Sequence, residues 1–394
     1  GRVSFPPGMA GLVIAPRARI FHGHEWVYGS EVRKTFGDPQ PGDVVSLKDF
    51  RDRPLGSAIY NPQSQIVARR FSRRRQDLDA DFFLRRIGQA IEHREKLGLD
   101  LALCRLVWSE SDGLPGLIID RYGSQLVVQT LTLGMFQRLD LIRQALVELI
   151  SPDGIILRND APVLKVEGIE TEIRMLEGGR PEAVTATANG IEFEIDLLDG
   201  QKTGLYLDQL TSHAEVARLA EGRPGLACCT NQGGFALACS RAGAASVTAV
   251  DISAGACEAT RRNAERNGLE IEVVEQNVFD FLKHAEGGYD LIILDPPSFT
   301  RNKKTLKDAM RGYKEIHLRS LKLLEKRGLL SSFCCSHHAG RELFPANLVE
   351  ASIDAKRTLR LVGEHSQRAD HPVLPALPET HYLKGFTVEV IPSR

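Results

Sequence analysis

No run of about 18 apolar residues occurs anywhere in the 394-residue sequence, so no segment reads as a membrane-spanning helix. The opening Gly1-Arg2-Val3-Ser4-Phe5-Pro6-Pro7 lacks the apolar stretch of a signal peptide, and a soluble protein without a membrane partner is expected. Charge of one sign is not in excess either. A formal net charge of -1 and a pI near 6.9 argue against a uniformly basic nucleic-acid coat and leave only local patches to consider. Cysteine is sparse. The seven residues, Cys104, Cys228, Cys229, Cys239, Cys257, Cys334 and Cys335, are odd in number and form no Cys-x-x-Cys pair at zinc spacing. No metal site is expected, and a reducing, cytoplasmic location fits best. A G-x-G-x-x-G fingerprint is missing as well, which disfavours a dinucleotide cofactor.

The length suits two or three domains. From Gly11 to Ser72, short stretches rich in β-branched residues alternate with Pro, Gly and Asp, as in Leu12-Val13-Ile14-Ala15 and Pro41-Gly42-Asp43-Val44-Val45. This pattern predicts a small β-barrel. Arg69, Arg70, Arg73, Arg74 and Arg75 close it, either as a solvated face or as a phosphate-contacting patch. Residues 79–97 carry Phe82, Phe83, Ile87, Ala90 and Ile91 at helical spacing, with Gly98 as C-cap. Strands at 105–108, 117–120, 125–130 and 154–158 and a helix over 135–150 complete a central α+β module that reads as scaffold. A hairpin-like region spans 182–197.

Beyond it, strands and helices alternate to the end, which predicts a doubly wound sheet. Two apolar runs dominate. Tyr289-Asp290-Leu291-Ile292-Ile293-Leu294 delivers Asp295-Pro296-Pro297 to a strand tip, and Gly328-Leu329-Leu330-Ser331-Ser332-Phe333 delivers Cys334-Cys335 to another. Such a sheet holds its ligands at the C-terminal strand edge, so an acid and a thiol there suggest one site. The first strand-to-helix turn is Thr230-Asn231-Gln232-Gly233-Gly234-Phe235, whose paired glycines allow a backbone to pass close to a ligand. Val250-Asp251 ends the second strand, where the acid reads either as a ribose ligand or as a helix N-cap. Asn277-Val278-Phe279 follows the third and is placed to read an adenine edge. Together these are the contacts expected for S-adenosyl-L-methionine.

Asp295-Pro296-Pro297-Ser298-Phe299, Phe333-Cys334-Cys335-Ser336-His337-His338, Gly200-Gln201-Lys202-Thr203-Gly204, Gly233-Gly234-Phe235, Asp112-Gly113-Leu114-Pro115-Gly116 and Tyr382-Leu383-Lys384-Gly385-Phe386 all occur in the chain. In that combination the chain resembles the bacterial 23S ribosomal RNA cytosine-5 methyltransferases with an N-terminal PUA domain. The resemblance implies an α/β protein with a PUA-like RNA-binding barrel at 1–75, a central α+β domain at 76–185 and a Rossmann-like class I methyltransferase domain at 186–394. It implies 23S ribosomal RNA, or a large-subunit precursor, as partner. Exposed sheet edges would allow a homodimer.

Carried over by position, Cys335 matches the family's nucleophile and Asp295 its motif acid. The cofactor would touch Gln201, Lys202, Thr203, Asp208, Thr230, Asn231, Gly233, Gly234, Phe235, Asp251, Ile252, Asn277, Val278, Phe279, Asp295 and Pro296. The chain departs from the family at Ala227, where an acid is usual, at Asn277, another usual acid, and at Leu210, commonly Arg. The departure at Ala227 implies a weakened cofactor site or a rearranged methionine pocket. Two other functions compete with cytosine-5 transfer. Methylation of an exocyclic guanine nitrogen goes with Asn-Pro-Pro and no thiol, contrary to both motifs here; an RNA-binding or assembly protein without catalysis has Ala227 in its favour. Cys334 alternates with Cys335 along the strand and should face the core. His337 and His338 could form a metal pair, but adjacent histidines point apart and no third ligand is evident, so contact with solvent or RNA is expected instead.

Overall fold

The structure, a computed structural model, describes residues 9–199, 205–299, 303–336, 338–339 and 342–391. The chain forms two compact units, one comprising the described parts of 1–184, 195–204 and 369–380 and the other the remainder.

The first unit contains two sheets. Six strands in the spatial order Trp26–Tyr28, Ile66–Ser72, Pro54–Tyr60, Val44–Asp49, Gly11–Ile14 and Val32–Phe36 wrap an apolar cluster of Leu12, Ile14, Val27, Val45, Leu47, Ala58 and Ala68. Along Val44–Asp49 burial alternates residue by residue, as a sheet with one dry face requires. The second sheet orders its strands Glu172–Glu177, Gly154–Asn159, Gln125–Thr130, Leu117–Tyr122 and Leu103–Trp108. Helices Ala80–Lys96 and Leu139–Ile150 cover it through Phe82, Phe83, Ile87, Ile142 and Leu146. The Asp79 carboxylate caps the first by accepting from Phe82 N–H at 2.8 Å, and Gly98 takes φ +70° just past its end. The helix expected over 135–150 is two, broken between Phe136 and Leu139.

Fully buried Arg94 donates to both Asp112 oxygens, and Asp112 Oδ2 also accepts from Trp108 N–H. The Asp112-Gly113-Leu114-Pro115-Gly116 segment is therefore held by its acid and turned by Gly113 at φ +68°.

In the second unit we number elements from its sheet. The strands are β1 (Pro224–Cys228), β2 (Ser246–Asp251), β3 (Glu272–Glu275), β4 (Tyr289–Leu294), β5 (Leu324–Cys334), β6 (Thr358–Ser366) and β7 (Lys384–Ile391). Their order is β3-β2-β1-β4-β5-β7-β6, parallel except that β7 runs antiparallel to both neighbours. Helices α1 (Leu210–Ala217), α2 (Gly234–Arg241), α3 (Ala254–Arg266), α4 (Val278–His284), α5 (Leu306–Leu323) and α6 (Leu343–Asp354) belong to this unit. The strand order reverses between β1 and β4. Open α/β sheets hold their ligands at the C-terminal edge beside such a reversal. The hairpin Val184–Ala188 with Ile191–Ile195 turns at Asn189 and Gly190, both at positive φ, as a two-residue hairpin loop demands.

Candidate active site

The register aligns Cys228 on β1 with Val250 on β2 and Leu294 on β4, and Leu294 with Ser332 on β5. The tips of β1, β2, β4 and β5 therefore bring Thr230, Asp251, Asp295 and Cys335 to one edge. Cys335 Sγ lies 4.0 Å from the Pro296 carbonyl oxygen, which ties the thiol to the loop leaving β4. Cys334 is fully buried beside the Tyr313 hydroxyl at 3.5 Å, on the core side of the strand as alternation required.

The turn after β1 is tightly wound, with Cys229, Asn231 and Gly233 all at positive φ. Its Thr230 is buried, and Thr230 Oγ1 has no hydrogen-bond partner among the described residues. Asp251 receives Asn231 N–H at 3.0 Å on one oxygen and Ser253 N–H at 2.9 Å on the other. Ser253, not Asp251, caps α3, so the helix-cap reading of Asp251 gives way. Two of about four acceptor sites on the carboxylate are thereby used, which leaves capacity for a diol. Ile252 beside it is 66% exposed, an apolar side chain open at a strand tip. An orphaned hydroxyl, an acid with spare acceptor sites and an exposed aliphatic surface fit a nucleoside bearing a polar tail. Gln201, Lys202 and Thr203 lie outside the described residues.

Three expectations change in their physical reason. Gly233 and Gly234 are needed by the protein itself: a Cβ on Gly233 would lie 2.9 Å from Thr260 Cγ2, and one on Gly234 2.2 Å from His213 Cε1. Asn277 caps α4, its Oδ1 accepting from Phe279 N–H at 2.9 Å and Asp280 N–H at 3.3 Å, so its open group is the Nδ2 donor rather than an acceptor for an adenine amine. Ala227 is buried in an apolar cluster with Val216, Phe235 and Ile293. An acid at that position would need its own polar partners, and the polar part of the turn begins later, at Thr230.

Residues not singled out by the sequence complete the site. Gln209 Nε2 donates to Asp295 Oδ1 at 3.0 Å, and the Tyr382 hydroxyl donates to Asp208 Oδ2 at 2.6 Å. Tyr206 has its pKa pushed upward, first by burial and then by the charges of Asp295, Asp208, Cys335 and Asp251. Cys229 is pushed up to about 12 by burial, Asp251 and Asp295, and stays a thiol at neutral pH. Buried Lys384 Nζ donates to the Ser336 carbonyl at 2.6 Å and fixes the backbone just after Cys335. Tyr206, Gln209 and Tyr382 lay inside or beside recognisable strings, yet no local pattern reveals which side chains converge across 174 residues.

The family model for S-adenosylmethionine-dependent methyltransferases matches residues 165–378, and that for PUA-like domains matches 17–73. The chain belongs to the S-adenosylmethionine-dependent methyltransferase family. Ribosomal RNA large subunit methyltransferase I of Erwinia tasmaniensis is 39% identical over 94% of this chain and 96% of its own. That of Tolumonas auensis is 38% identical over 94% and 96%. A Streptococcus mutans protein assigned as a SAM-dependent methyltransferase shares the fold at TM-score 0.83 and 22% identity, covering 97% of this chain and 100% of its own. A further assigned methyltransferase, complexed with SAH, gives 0.85 and 23% with the same coverage. The barrel is thus the PUA-like part of a methyltransferase, and S-adenosylmethionine is its cofactor. Among the described residues no helix is long and apolar enough to cross a membrane.

Proposed function

We propose that this methyltransferase acts on carbon 5 of a cytosine in 23S ribosomal RNA, through a covalent adduct at Cys335. The observation that carries the reading is the placing of Cys335 and Asp295 on the tips of adjacent parallel strands, with Cys335 Sγ 4.0 Å from the carbonyl of Pro296. The kinship with ribosomal RNA large subunit methyltransferase I supports the RNA class.

Carbon 5 of cytosine is a poor nucleophile until carbon 6 carries an added group. The Cys335 thiolate adds at carbon 6, and Asp295 shares a proton with N3, where negative charge develops. Carbon 5, now enamine-like, takes the methyl group that S-adenosylmethionine supplies. Transfer of the carbon 5 proton to solvent water then expels the Cys335 thiolate and restores the aromatic ring. Buried Pro296 and exposed Pro297 stiffen the backbone that faces the flipped-out base. Asp251, Thr230, Asn231, Asp208, Asn277 and the Gly233-Gly234 turn hold the cofactor, and Gln201, Lys202 and Thr203 belong to the same proposal. A cytoplasmic location accords with seven free cysteines and an RNA substrate.

The same reading includes a homodimer through the edge strand β6, where Leu361 and Val362 are 56% and 44% exposed. Sedimentation of wild type against Val362→Lys tests it: a wild-type monomer removes the dimer and leaves the chemistry untouched. The chemistry is tested with unmodified 23S ribosomal RNA carrying tritium at cytosine carbon 5. Tritium release to water that needs the cofactor and vanishes in Cys335→Ala is expected. Release that persists in Cys335→Ala removes the covalent mechanism.

A further inference from the structure

Asp295 leaves the tip of β4 with Oδ1 engaged by Gln209 Nε2 at 3.0 Å. Gln209 is only 4% exposed, and its Oε1 has no hydrogen-bond partner among the described residues. A carboxylate accepts and does not donate, so the amide must turn its NH2 to Asp295 and its carbonyl elsewhere. Asp208, one residue earlier, is held by the Tyr382 hydroxyl, which anchors this segment from the connection between β6 and β7. One of the amide's two N–H donors is thereby committed, and its solvent-shielded oxygen is the acceptor left without a partner among the described residues.

We propose that Gln209 is a specificity-determining residue: locked to Asp295 through Nε2, its Oε1 accepts a hydrogen bond from the exocyclic amine of the target base, so that cytosine is taken and uracil refused. This rests on the cytosine reading above. Cytosine offers an acceptor at N3 beside a donor at N4, which suits a proton shared with Asp295 and the carbonyl of Gln209. Uracil has a keto oxygen in place of the amine and would set acceptor against acceptor. A buried polar group facing the wrong partner costs more than one that is absent, so refusal is stronger than mere loss of a bond.

The test uses the full chain, S-adenosylmethionine and 23S ribosomal RNA. The methylated cytosine is first located by bisulfite sequencing; failure of the wild type to methylate any cytosine would sink the cytosine reading itself. The RNA is then assembled by splinted ligation with cytidine, uridine or zebularine, which lacks the amine, at that position. Wild-type kcat/KM should fall about tenfold or more from cytidine to zebularine, and Gln209→Met should shrink that ratio to within about twofold. Affinity for S-adenosylmethionine, measured by calorimetry, should stay within about twofold. A ratio in Gln209→Met equal to the wild type overturns the proposal. So does lost cofactor affinity with an unchanged ratio, which would assign the orphan oxygen to the cofactor's ammonium. If Gln209→Met melts early, Gln209→Asn, which retracts the amide by one methylene, gives the same comparison.

Discussion

Cys334 and Cys335 are chemically identical neighbours given different surroundings by strand alternation. Cys334 is fully buried against Tyr313, whereas Cys335 is partly exposed where β5 ends. Cys335→Ala is expected to abolish methyl transfer with an unchanged melting temperature. Cys334→Ala should retain transfer and lose about 1 kcal/mol of stability, the scale of one buried methylene-sized group. Activity that depends on Cys334 instead would reverse the assignment. The pair was legible in the sequence because period two needs no tertiary knowledge. The glycines were legible only as glycines. Gly234 faces the ring of buried His213, so Gly234→Ala drives a methyl into a side chain with little room to move and should cost roughly 1–3 kcal/mol in chemical denaturation. Near-wild-type stability would mean that the turn yields and that the glycine serves the cofactor alone.

Strand β5 carries the proposed nucleophile and is braced on both faces by hydroxyls that a hydrophobic reading treats as filler. Ser332 Oγ bonds His317 Nε2 at 2.6 Å, and His317 Nδ1 meets Asn347 Oδ1 at 2.9 Å, which links β5, α5 and α6. On the other face Ser331 meets Thr387 Oγ1, and Thr387 meets His365, itself paired with Glu215 on α1. The apolar run made the strand legible; its bracing was not, because hydrogen bonds spanning 15 to 150 residues leave no local pattern. Burial holds the pKa of His317 down to about 4, and burial does the same for His213. An unfolded histidine takes its proton near about 6.5, so the folded state gains from these neutral rings above that value and loses the gain as pH falls toward about 4. Urea unfolding should therefore weaken from pH 7.5 to 5, by roughly 1–3 kcal/mol per ring at the acid end. His317→Gln, which cannot titrate, should flatten that slope. An unchanged slope in the variant would place the titration elsewhere.

At the scale of the whole molecule, the arginine run that closes the barrel separates into two functions that composition cannot distinguish. Arg70 is buried and makes a two-pronged pair with Glu25, and Arg69 bonds Glu110 at 2.6 Å while lying 5.0 Å over the Trp26 ring. Burial alone would raise the Glu110 pKa, yet Arg69 and the Ser109 hydroxyl hold it below the usual carboxylate range. These two arginines are committed to the fold and are removed from the phosphate patch that the run suggested. Arg73, Arg74 and Arg75 remain exposed. The barrel could be anticipated from turn residues and β-branched stretches, but which guanidinium finds an acid depends on partners distant in sequence, such as Glu25 and Glu110. Arg70→Ala should therefore destabilise the first unit by roughly 1–3 kcal/mol, because it breaks a two-pronged pair made by a buried guanidinium and leaves Glu25 only the 3.7 Å contact with Arg73. Arg74→Ala and Arg75→Ala should leave unfolding unchanged and weaken binding to 23S ribosomal RNA. Each should also lower the slope of log affinity against log salt by about 1, because one phosphate then keeps its counterion instead of exchanging it for a guanidinium. Salt slopes identical to the wild type in both exposed variants would mean that the barrel grips RNA through another face. The fold would still need Arg69 and Arg70 where they are.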